Sequence, residues 1–191
     1  LDDTVCLLLH DMTANNPKIV VISETGLDFI EGAPDRLVQD QAFRSQIRLA
    51  RDMNLPLVVH SRDAYPELLR TLREEKAQEV GGALHYFQGD EATAWEAIES
   101  GFYISLAKPL LQLPGLQEVA AQLPLDRIVL ETDSAPQPFK KYRHNWTEPR
   151  HVKDVAQKLA ELKGIDLEEV AKVTTSNLCS LLKLDRLPEA I

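Results

Sequence analysis

The chain contains the stretch Leu55-Pro56-Leu57-Val58-Val59-His60-Ser61-Arg62-Asp63, a short apolar run that ends in a histidine and continues into polar residues. Such a run is typical of a buried strand. Three further apolar runs end in an imidazole or carboxylate side chain. They are Ile19-Val20-Val21-Ile22-Ser23-Glu24, Gly82-Ala83-Leu84-His85 and Arg127-Ile128-Val129-Leu130-Glu131-Thr132-Asp133. The sequence therefore predicts four buried strands with Glu24, His60, His85 and Asp133 at or just after their ends.

The composition is that of an ordinary globular domain. The chain has 191 residues, of which 44% are hydrophobic and 27% are charged, and this size allows a sizeable core. We predict a single domain over residues 1–191. No apolar run approaches the roughly 20 residues of a membrane span, so no membrane association is expected. Cys6 and Cys179 lie far apart without CxxC spacing, which favours a reduced, cytoplasmic setting.

The net charge of −9 provides no general attraction to nucleic acid. It argues against a protein that binds DNA tightly as a scaffold. It does not exclude a nucleic-acid substrate, because a metal site can supply the local positive charge that a phosphate requires. Nothing in the sequence indicates an obligate protein partner.

Strand and helix patterns alternate along the chain. Strands are predicted over residues 19–22, 57–60, 82–86, 102–106 and 127–130, and helices over residues 1–16, 35–53, 65–76, 91–99, 116–121, 148–162 and 167–182. Strands this apolar predict an α/β fold in which helices cover a parallel sheet. Functional side chains at the ends of several strands favour a TIM-type (β/α) barrel over an open sheet with one switch point. A barrel has eight strands, so we expect three of them to precede Leu1.

The four strand-end side chains, Glu24, His60, His85 and Asp133, mix imidazole and carboxylate groups. That set suits zinc or another divalent transition metal better than calcium or magnesium alone. Any single histidine on a strand is more often a core or surface residue than a ligand. A strand-end carboxylate is costly to bury without a partner. The four groups together therefore predict a metal site.

Several ordered blocks match a known family signature. Ser23-Glu24-Thr25-Gly26-Leu27-Asp28-Phe29 resembles the GExGLD(Y/F) signature of the TatD-type metal-dependent deoxyribonucleases, and Gln41-Ala42-Phe43 with Gln46 resembles the helix that follows it. Residues 55–64 resemble the next block of that family almost residue for residue. The remaining matches are Leu84-His85-Tyr86-Phe87-Gln88-Gly89 to an LHCFxG block, Leu130-Glu131-Thr132-Asp133 to an ETD block, and Asn145 with Glu148-Pro149 to an RNEP segment.

The resemblance implies a TIM-type barrel and a deoxyribonuclease that uses divalent metal ions (Zn, Mg or Mn), two of them in the complete protein. It implies that Glu24 bridges two metals and that His60 and His85 ligate one of them. Asp133 would be a ligand or the general base on the attacking water, so Glu24 and Asp133 are the predicted catalytic residues. Two ions about 3.5–4 Å apart can hold a hydroxide and stabilise both oxygens of an in-line displacement.

Two cations are candidates for contacts to substrate phosphates. Arg62 follows His60 closely, and the alternative for its guanidinium is a solvated salt bridge at the surface. Lys108 lies just past a predicted strand and is the weaker candidate of the two.

The chain departs from the family pattern in places. It contains no HxH pair, which the family carries on its first strand, and we expect that pair upstream of Leu1. His10 lies in a predicted helix ahead of the Glu24 strand and cannot replace that pair, whereas His144 and His151 are predicted to be surface or groove residues. Arg143-His144-Asn145-Trp146-Thr147-Glu148-Pro149 has insertions relative to the RNEP segment, and Ser134-Ala135-Pro136 differs from the usual continuation of the ETD block. These loops would contact substrate, so the substrate is specified less closely than the metal site.

Three functions therefore stay open at this point. The first is a metal-dependent phosphodiesterase that acts on DNA. The second is a metal-dependent hydrolase of a small amide, lactone or ester. The third is a catalytically impaired remnant or a binding module, if the HxH strand is absent from the native protein.

Overall fold

The computed structural model describes residues 3–135 and 146–184. Its centre is a five-stranded parallel sheet with the strands in chain order. The strands are β1 (Ile22–Asp28), β2 (Leu57–Arg62), β3 (Gly82–Leu84), β4 (Phe102–Leu106) and β5 (Ile128–Leu130). The helices are α1 (Asp3–Ala14), α2 (Arg36–Asp52), α3 (Tyr65–Glu74), α4 (Glu91–Glu99), α5 (Pro114–Gln122), α6 (Val152–Lys163) and α7 (Leu167–Leu181). The predicted α/β class and parallel sheet are confirmed.

The sheet has two different faces because side chains alternate along each strand. On one face, the residues of a single cross-strand row are buried beneath the helices. This row consists of Val59, Leu84, Ile104 and Ile128. The opposite face carries polar side chains at or just past the carboxyl ends of the strands, namely His60, His85, Ser105 and Glu131, of which Glu131 lies two residues beyond Val129, the partner of Ser105. The alternation therefore places the apolar core and the polar site on opposite sides of one sheet.

The sequence patterns located β4 and α4 correctly but misplaced β1. The run over residues 19–22 was predicted to be the strand, whereas the strand begins at Ile22 and continues to Asp28. Pairing explains the difference, because β2 extends to Arg62 and offers partners to β1 as far as Asp28. The strand end predicted at His60 is wrong for the same reason, and His60 lies inside β2.

Helix α2 packs its apolar stripe against the sheet. Asp35 caps its amino terminus and accepts hydrogen bonds from the backbone N–H groups of Leu37 and Val38 at 2.9 and 3.3 Å. Phe43 and Ile47 are fully buried, as the spacing predicts. Leu37 is also apolar but is 65% exposed, because it lies in the first turn.

The described helices include none that is both long and apolar enough to cross a membrane.

An ion-pair network joins α2 to the end of α3. The Glu75 carboxylate accepts hydrogen bonds from Arg48 at 2.7 and 2.8 Å and from Arg44 at 3.1 Å. Arg44 also binds Asp40 at 2.7 Å and Glu74 at 2.6 Å. The hydrogen bonds from Arg48, with the one from Arg44, outweigh burial and hold the pKa of Glu75 below its ordinary value.

We expect Glu75→Gln to lower the free energy of unfolding by about 1–3 kcal/mol near neutral pH, because Arg44 and Arg48 lose their shared carboxylate. The folded-state pKa of Glu75 lies below the unfolded value. Its contribution is therefore fully present above the unfolded pKa and is lost as the pH falls through the folded pKa. Urea denaturation at several pH values between 7 and 3 measures this.

The matched control is Glu118→Gln on an exposed position of α5, which should leave the stability unchanged. A difference between Glu75→Gln and the parent that stays constant down to pH 3 would contradict the assigned ion pairs.

Candidate metal centre

The first strand is shaped by a bulge and a glycine. Ile22 pairs with Leu57 and Thr25 pairs with Val59, so β1 has one extra residue in this interval. A bulge re-aims neighbouring side chains, and this interval contains Glu24. Farther along, Gly26 has a φ of 145°, and a Cβ at this residue would lie 2.0 Å from the backbone oxygen of His60. Glycine is thus required for β1 to approach β2 at His60.

Gly26→Ala should destabilise the protein by about 2–4 kcal/mol, since the added methyl group must push the His60 backbone away and adopt an unfavourable φ. Gly115→Ala is the matched control, because its added Cβ would meet nothing within 4 Å. Thermal or urea unfolding measures both variants. Equal stability of the two variants would show that the close approach of β1 to β2 is not required.

His85 is the central residue of the candidate site. Its Nε2 lies 2.6 Å from Glu24 Oε1 and 3.9 Å from Asp133 Oδ1, and its Nδ1 lies 2.5 Å from Glu131 Oε2. The imidazole side chain is only 10% exposed. The structure therefore brings Glu24, His85 and Asp133 together from three different strands or their ends.

Glu131 fixes the orientation of His85. The second oxygen of its carboxylate, Oε1, accepts hydrogen bonds from the backbone N–H of Tyr86 at 2.7 Å and from Ser105 Oγ at 2.6 Å. Glu131 thus joins the ends of β3, β4 and β5. Glu131 belongs to the ETD block, but it was not among the predicted site residues. Its position two residues after Val129, on the polar face of β5, is the signal that could have identified it.

The ionisation of this pair follows from its geometry. Burial alone would lower the pKa of His85, but the hydrogen bond and charge of Glu131, with the charges of Glu24 and Asp133, raise it above the ordinary value. Burial alone would raise the pKa of Glu131, but its hydrogen bonds to His85 and Ser105 lower it. An ionised Glu131 therefore sits behind His85 and favours a proton on Nδ1, which directs Nε2 toward the two other carboxylates.

His60 has a different partner. Its Nε2 lies 3.2 Å from Asp28 Oδ2, and Arg62 Nη1 lies 3.8 Å from the same oxygen. Asp28 belongs to the block that resembles the GExGLD signature, but it was not among the predicted site residues. The Arg62 side chain is 55% exposed and forms the kind of surface salt bridge that was its alternative interpretation.

One cleft contains all four predicted metal ligands. Its volume is about 360 Å³, and it is lined by Glu24, His60, Ser61, Arg62, His85, Tyr86, Gln88 and Asp133. Tyr86 and Asp133 have φ values of 48° and 50°, so the backbone turns sharply just beyond β3 and β5. Aspartate tolerates this left-handed conformation better than most residues, whereas it is unusual for a bulky tyrosine.

The donor types in the cleft fit a divalent metal ion. A histidine whose Nδ1 is held by a carboxylate, with Nε2 facing other donors, is the usual arrangement of a metal-binding imidazole. Ser61 Oγ is buried at the cleft and has no hydrogen-bond partner within the described ranges. As the side chains stand, no three His, Cys, Asp or Glu groups in those ranges are spaced to hold an ion. Instead, Glu24 is hydrogen-bonded directly to His85 Nε2, and His60 is hydrogen-bonded to Asp28.

The other histidines lie elsewhere or are outside the description. His10 is exposed on α1 beside Asp11, with 3.9 Å between Nδ1 and Oδ1. His151 Nδ1 accepts a hydrogen bond from the backbone N–H of Glu148 at 3.0 Å. Arg143, His144 and Asn145, on which the RNEP comparison partly depends, lie outside the described residues.

Comparisons with known proteins define the class. The family described as TatD related DNase matches residues 2–183. YabD of Bacillus subtilis (strain 168), named an uncharacterized metal-dependent hydrolase, is 38% identical over 173 residues, which are 88% of this chain and 67% of YabD. The Homo sapiens protein named deoxyribonuclease TATDN3 is 37% identical over 169 residues, which are 86% of this chain and 60% of TATDN3.

A solved structure supports the fold. The crystal structure of YJJV, a TatD homologue from Escherichia coli K12, superimposes with a TM-score of 0.86 at 24% identity, covering 96% of this chain and 72% of YJJV. Such TatD structures are TIM barrels, so the predicted TIM-type fold class is confirmed. The chain spans about two thirds of the length of the curated relatives it matches.

Fold and comparisons together place the chain in a class of TIM-type α/β proteins whose relatives are named metal-dependent hydrolases. More specifically, the chain belongs to the TatD related DNase family, which confirms the resemblance seen in its sequence.

Glu131→Gln should lower the pKa of His85 in protein freed of metal by a chelator, because the carboxylate charge that opposes burial is removed. The NMR titration of the His85 ring protons measures the shift. Glu118→Gln serves as the control for loss of one negative charge and should leave the His85 titration unchanged. An identical His85 pKa in Glu131→Gln and the parent would contradict the assigned contact.

Proposed function

We propose that the protein is a metal-dependent hydrolase that cleaves phosphodiester bonds of DNA. The convergence of Glu24 and Asp133 on His85, with Glu131 behind the imidazole, is the observation that carries the proposal. This group lies at the carboxyl ends of parallel strands, where TIM-type enzymes place their active sites. The relative named deoxyribonuclease TATDN3 supports DNA as the substrate.

Glu24, His85 and Asp133 would hold a divalent ion, with His60 as a further ligand in the same cleft. The imidazole and carboxylate donors suit zinc, manganese or magnesium, with a second ion in the complete protein. A bound ion supplies Lewis acidity, which polarises a phosphoryl oxygen and makes water a better nucleophile. The function of Glu131 is to keep His85 Nε2 directed into the cleft.

Asp133 is placed to act as the general base. Its side chain is 58% exposed and lies beside His85, so that one carboxylate oxygen can face the cleft and accept a proton from water. Glu24 has a 48% exposed carboxylate on the other side of His85. The two predicted catalytic carboxylates thus flank one imidazole.

Arg62 would contact the phosphate of the substrate. Its guanidinium lines the cleft, and its 3.8 Å separation from Asp28 is a weak, exposed ion pair. A bidentate contact with phosphate would be stronger than this pair. Because the net charge is −9, such local cations must provide the attraction for DNA that the molecule as a whole does not.

We expect the protein to degrade single-stranded DNA with Mn²⁺, Zn²⁺ or Mg²⁺ and to lose this activity with a chelator. His60→Ala and Asp133→Asn should each lower kcat/KM by about 10²–10⁴-fold, the usual contribution of a ligand or general base. His10→Ala, on exposed α1, is the matched control and should cleave as the parent does. Cleavage by His60→Ala at the rate of the parent would show that the site is assigned wrongly.

A parallel panel of small esters, lactones and amides separates the competing hypotheses. Turnover of such a compound with none on DNA would favour the second hypothesis, which uses the same centre. Absence of both activities from the complete protein loaded with metal would favour the impaired remnant.

A further inference from the structure

A second cavity lies beside the candidate metal centre. Its volume is about 390 Å³, and it is bordered by the segment after β4, the end of β5 and the start of α6. The groups that matter chemically are Lys108, Thr132, Trp146, His151 and Asp154. None of them is a predicted metal ligand, and the proposed mechanism uses none of them.

The cavity and the metal cleft are bordered by neighbouring residues of the ETD segment. Thr132 lines the cavity, and its neighbour Asp133 lines the metal cleft. Lys108 lies three residues beyond Ser105, which binds Glu131 behind His85. A ligand in the cavity would therefore be adjacent to the reacting group held in the cleft.

The lining combines a cation with directed hydrogen-bonding groups. The Lys108 ammonium is half-buried and forms no ion pair with any carboxylate of residues 3–135 and 146–184. His151 Nδ1 accepts a hydrogen bond from the backbone N–H of Glu148. The neutral ring must therefore carry its proton on Nε2, where it can donate a hydrogen bond to a ligand. Asp154 adds an exposed carboxylate. It can accept a hydrogen bond from an amino group, but it would repel a phosphate placed next to it.

Trp146 adds a flat apolar surface to these polar groups. Its indole is half-buried at the cavity. Sites for single-stranded nucleic acid combine aromatic side chains, on which unpaired bases stack, with cations that follow the backbone. The volume lies near the lower end of the roughly 300–1,000 Å³ range of small-molecule sites. It suits one nucleotide unit rather than a duplex.

We propose that this cavity is a subsite for the nucleotide next to the scissile phosphate, with the base stacked on Trp146 and a backbone phosphate bound by Lys108. Asp154 and the His151 Nε2–H face the base edge. The inference rests on the proposed function, because it assumes that the cleft cleaves DNA. The base bound there must be unpaired, in agreement with the single-stranded substrate expected above.

Binding can be tested without catalysis by using Trp146 as the reporter. Trp95 lies on α4 outside both cavities, so Trp95→Phe leaves Trp146 as the remaining tryptophan. With metal removed by a chelator, a short oligothymidylate should quench Trp146 fluorescence saturably. Lys108→Ala should weaken this binding by about 5- to 10-fold. It should also reduce the slope of the logarithm of the binding constant against the logarithm of the salt concentration by about one. The control Lys172→Ala, on exposed α7, should bind as the parent does.

Cleavage kinetics test the position of the subsite. Trp146→Ala should raise KM for single-stranded DNA by about 5- to 100-fold, as expected for one lost stacking contact, and should raise KM more than it lowers kcat. Trp146→Phe should restore most of the loss, which excludes simple misfolding. An abasic nucleotide on one side of the cleaved bond should impair the parent by a similar factor and leave Trp146→Ala little affected.

The outcomes distinguish the two proposals. If the parent cleaves DNA while Trp146→Ala and Lys108→Ala match it in KM, the subsite is wrong and the proposed function stands. If the parent does not cleave DNA but the oligonucleotide still quenches Trp146 with the expected Lys108 dependence, the nucleotide site stands and the proposed reaction is wrong. Absence of quenching overturns the subsite in either case.

Discussion

The contact between Glu131 and His85 is the interaction on which the rest of the site depends. A carboxylate in this largely buried position is costly unless it is hydrogen-bonded, and it receives partners from His85, Tyr86 and Ser105. These partners come from β4 and from the end of β3, whereas Glu131 itself follows β5. The contact can therefore form only when the three strands are in register, so the alignment of the imidazole depends on the folded sheet.

The two faces of the sheet explain how the polar pair of Glu131 and His85 can lie close to an apolar core. The row that includes Val59 and Ile104 is buried beneath helices, and the polar row alternates with it along the same strands. At the first strand the alternation is interrupted by the bulge at Glu24 and by the close approach at Gly26. Glu24 lies in this irregular interval, and its carboxylate is 2.6 Å from His85 Nε2.

Much of the fold follows from sequence patterns. Element type, the parallel sheet and the bounds of β4 and α4 follow from apolar periodicity and turn residues. The position of β1 does not, because the β-branched run at residues 19–22 has strand propensity, whereas the observed strand Ile22–Asp28 is defined by pairing with β2. Similarly, the sequence predicts the position of α2, but the exposure of Leu37 depends on where the helix meets the sheet.

The candidate site could be predicted in part. The types of the predicted ligands and their strand ends indicate a metal, and the structure places all four in one cleft. Partner choice is not visible in the sequence, because it depends on distances across strands. Asp28 and Glu131 were therefore overlooked, and His60 proves to bond Asp28 rather than the group around His85. The resemblance to the TatD family supplied the expected roles, but only geometry shows which donors converge.

The central proposal is that Glu24, His85 and Asp133 would hold a divalent ion. Crystals of the protein grown with Mn²⁺ or Zn²⁺, with data collected at the absorption edge of the metal, test it most directly. The account predicts an anomalous peak in the cleft within about 2.0–2.3 Å of His85 Nε2 and of at least one of the two carboxylates. A metal-saturated crystal with no anomalous peak in the cleft, and with His85 still bonded to Glu24, would contradict it.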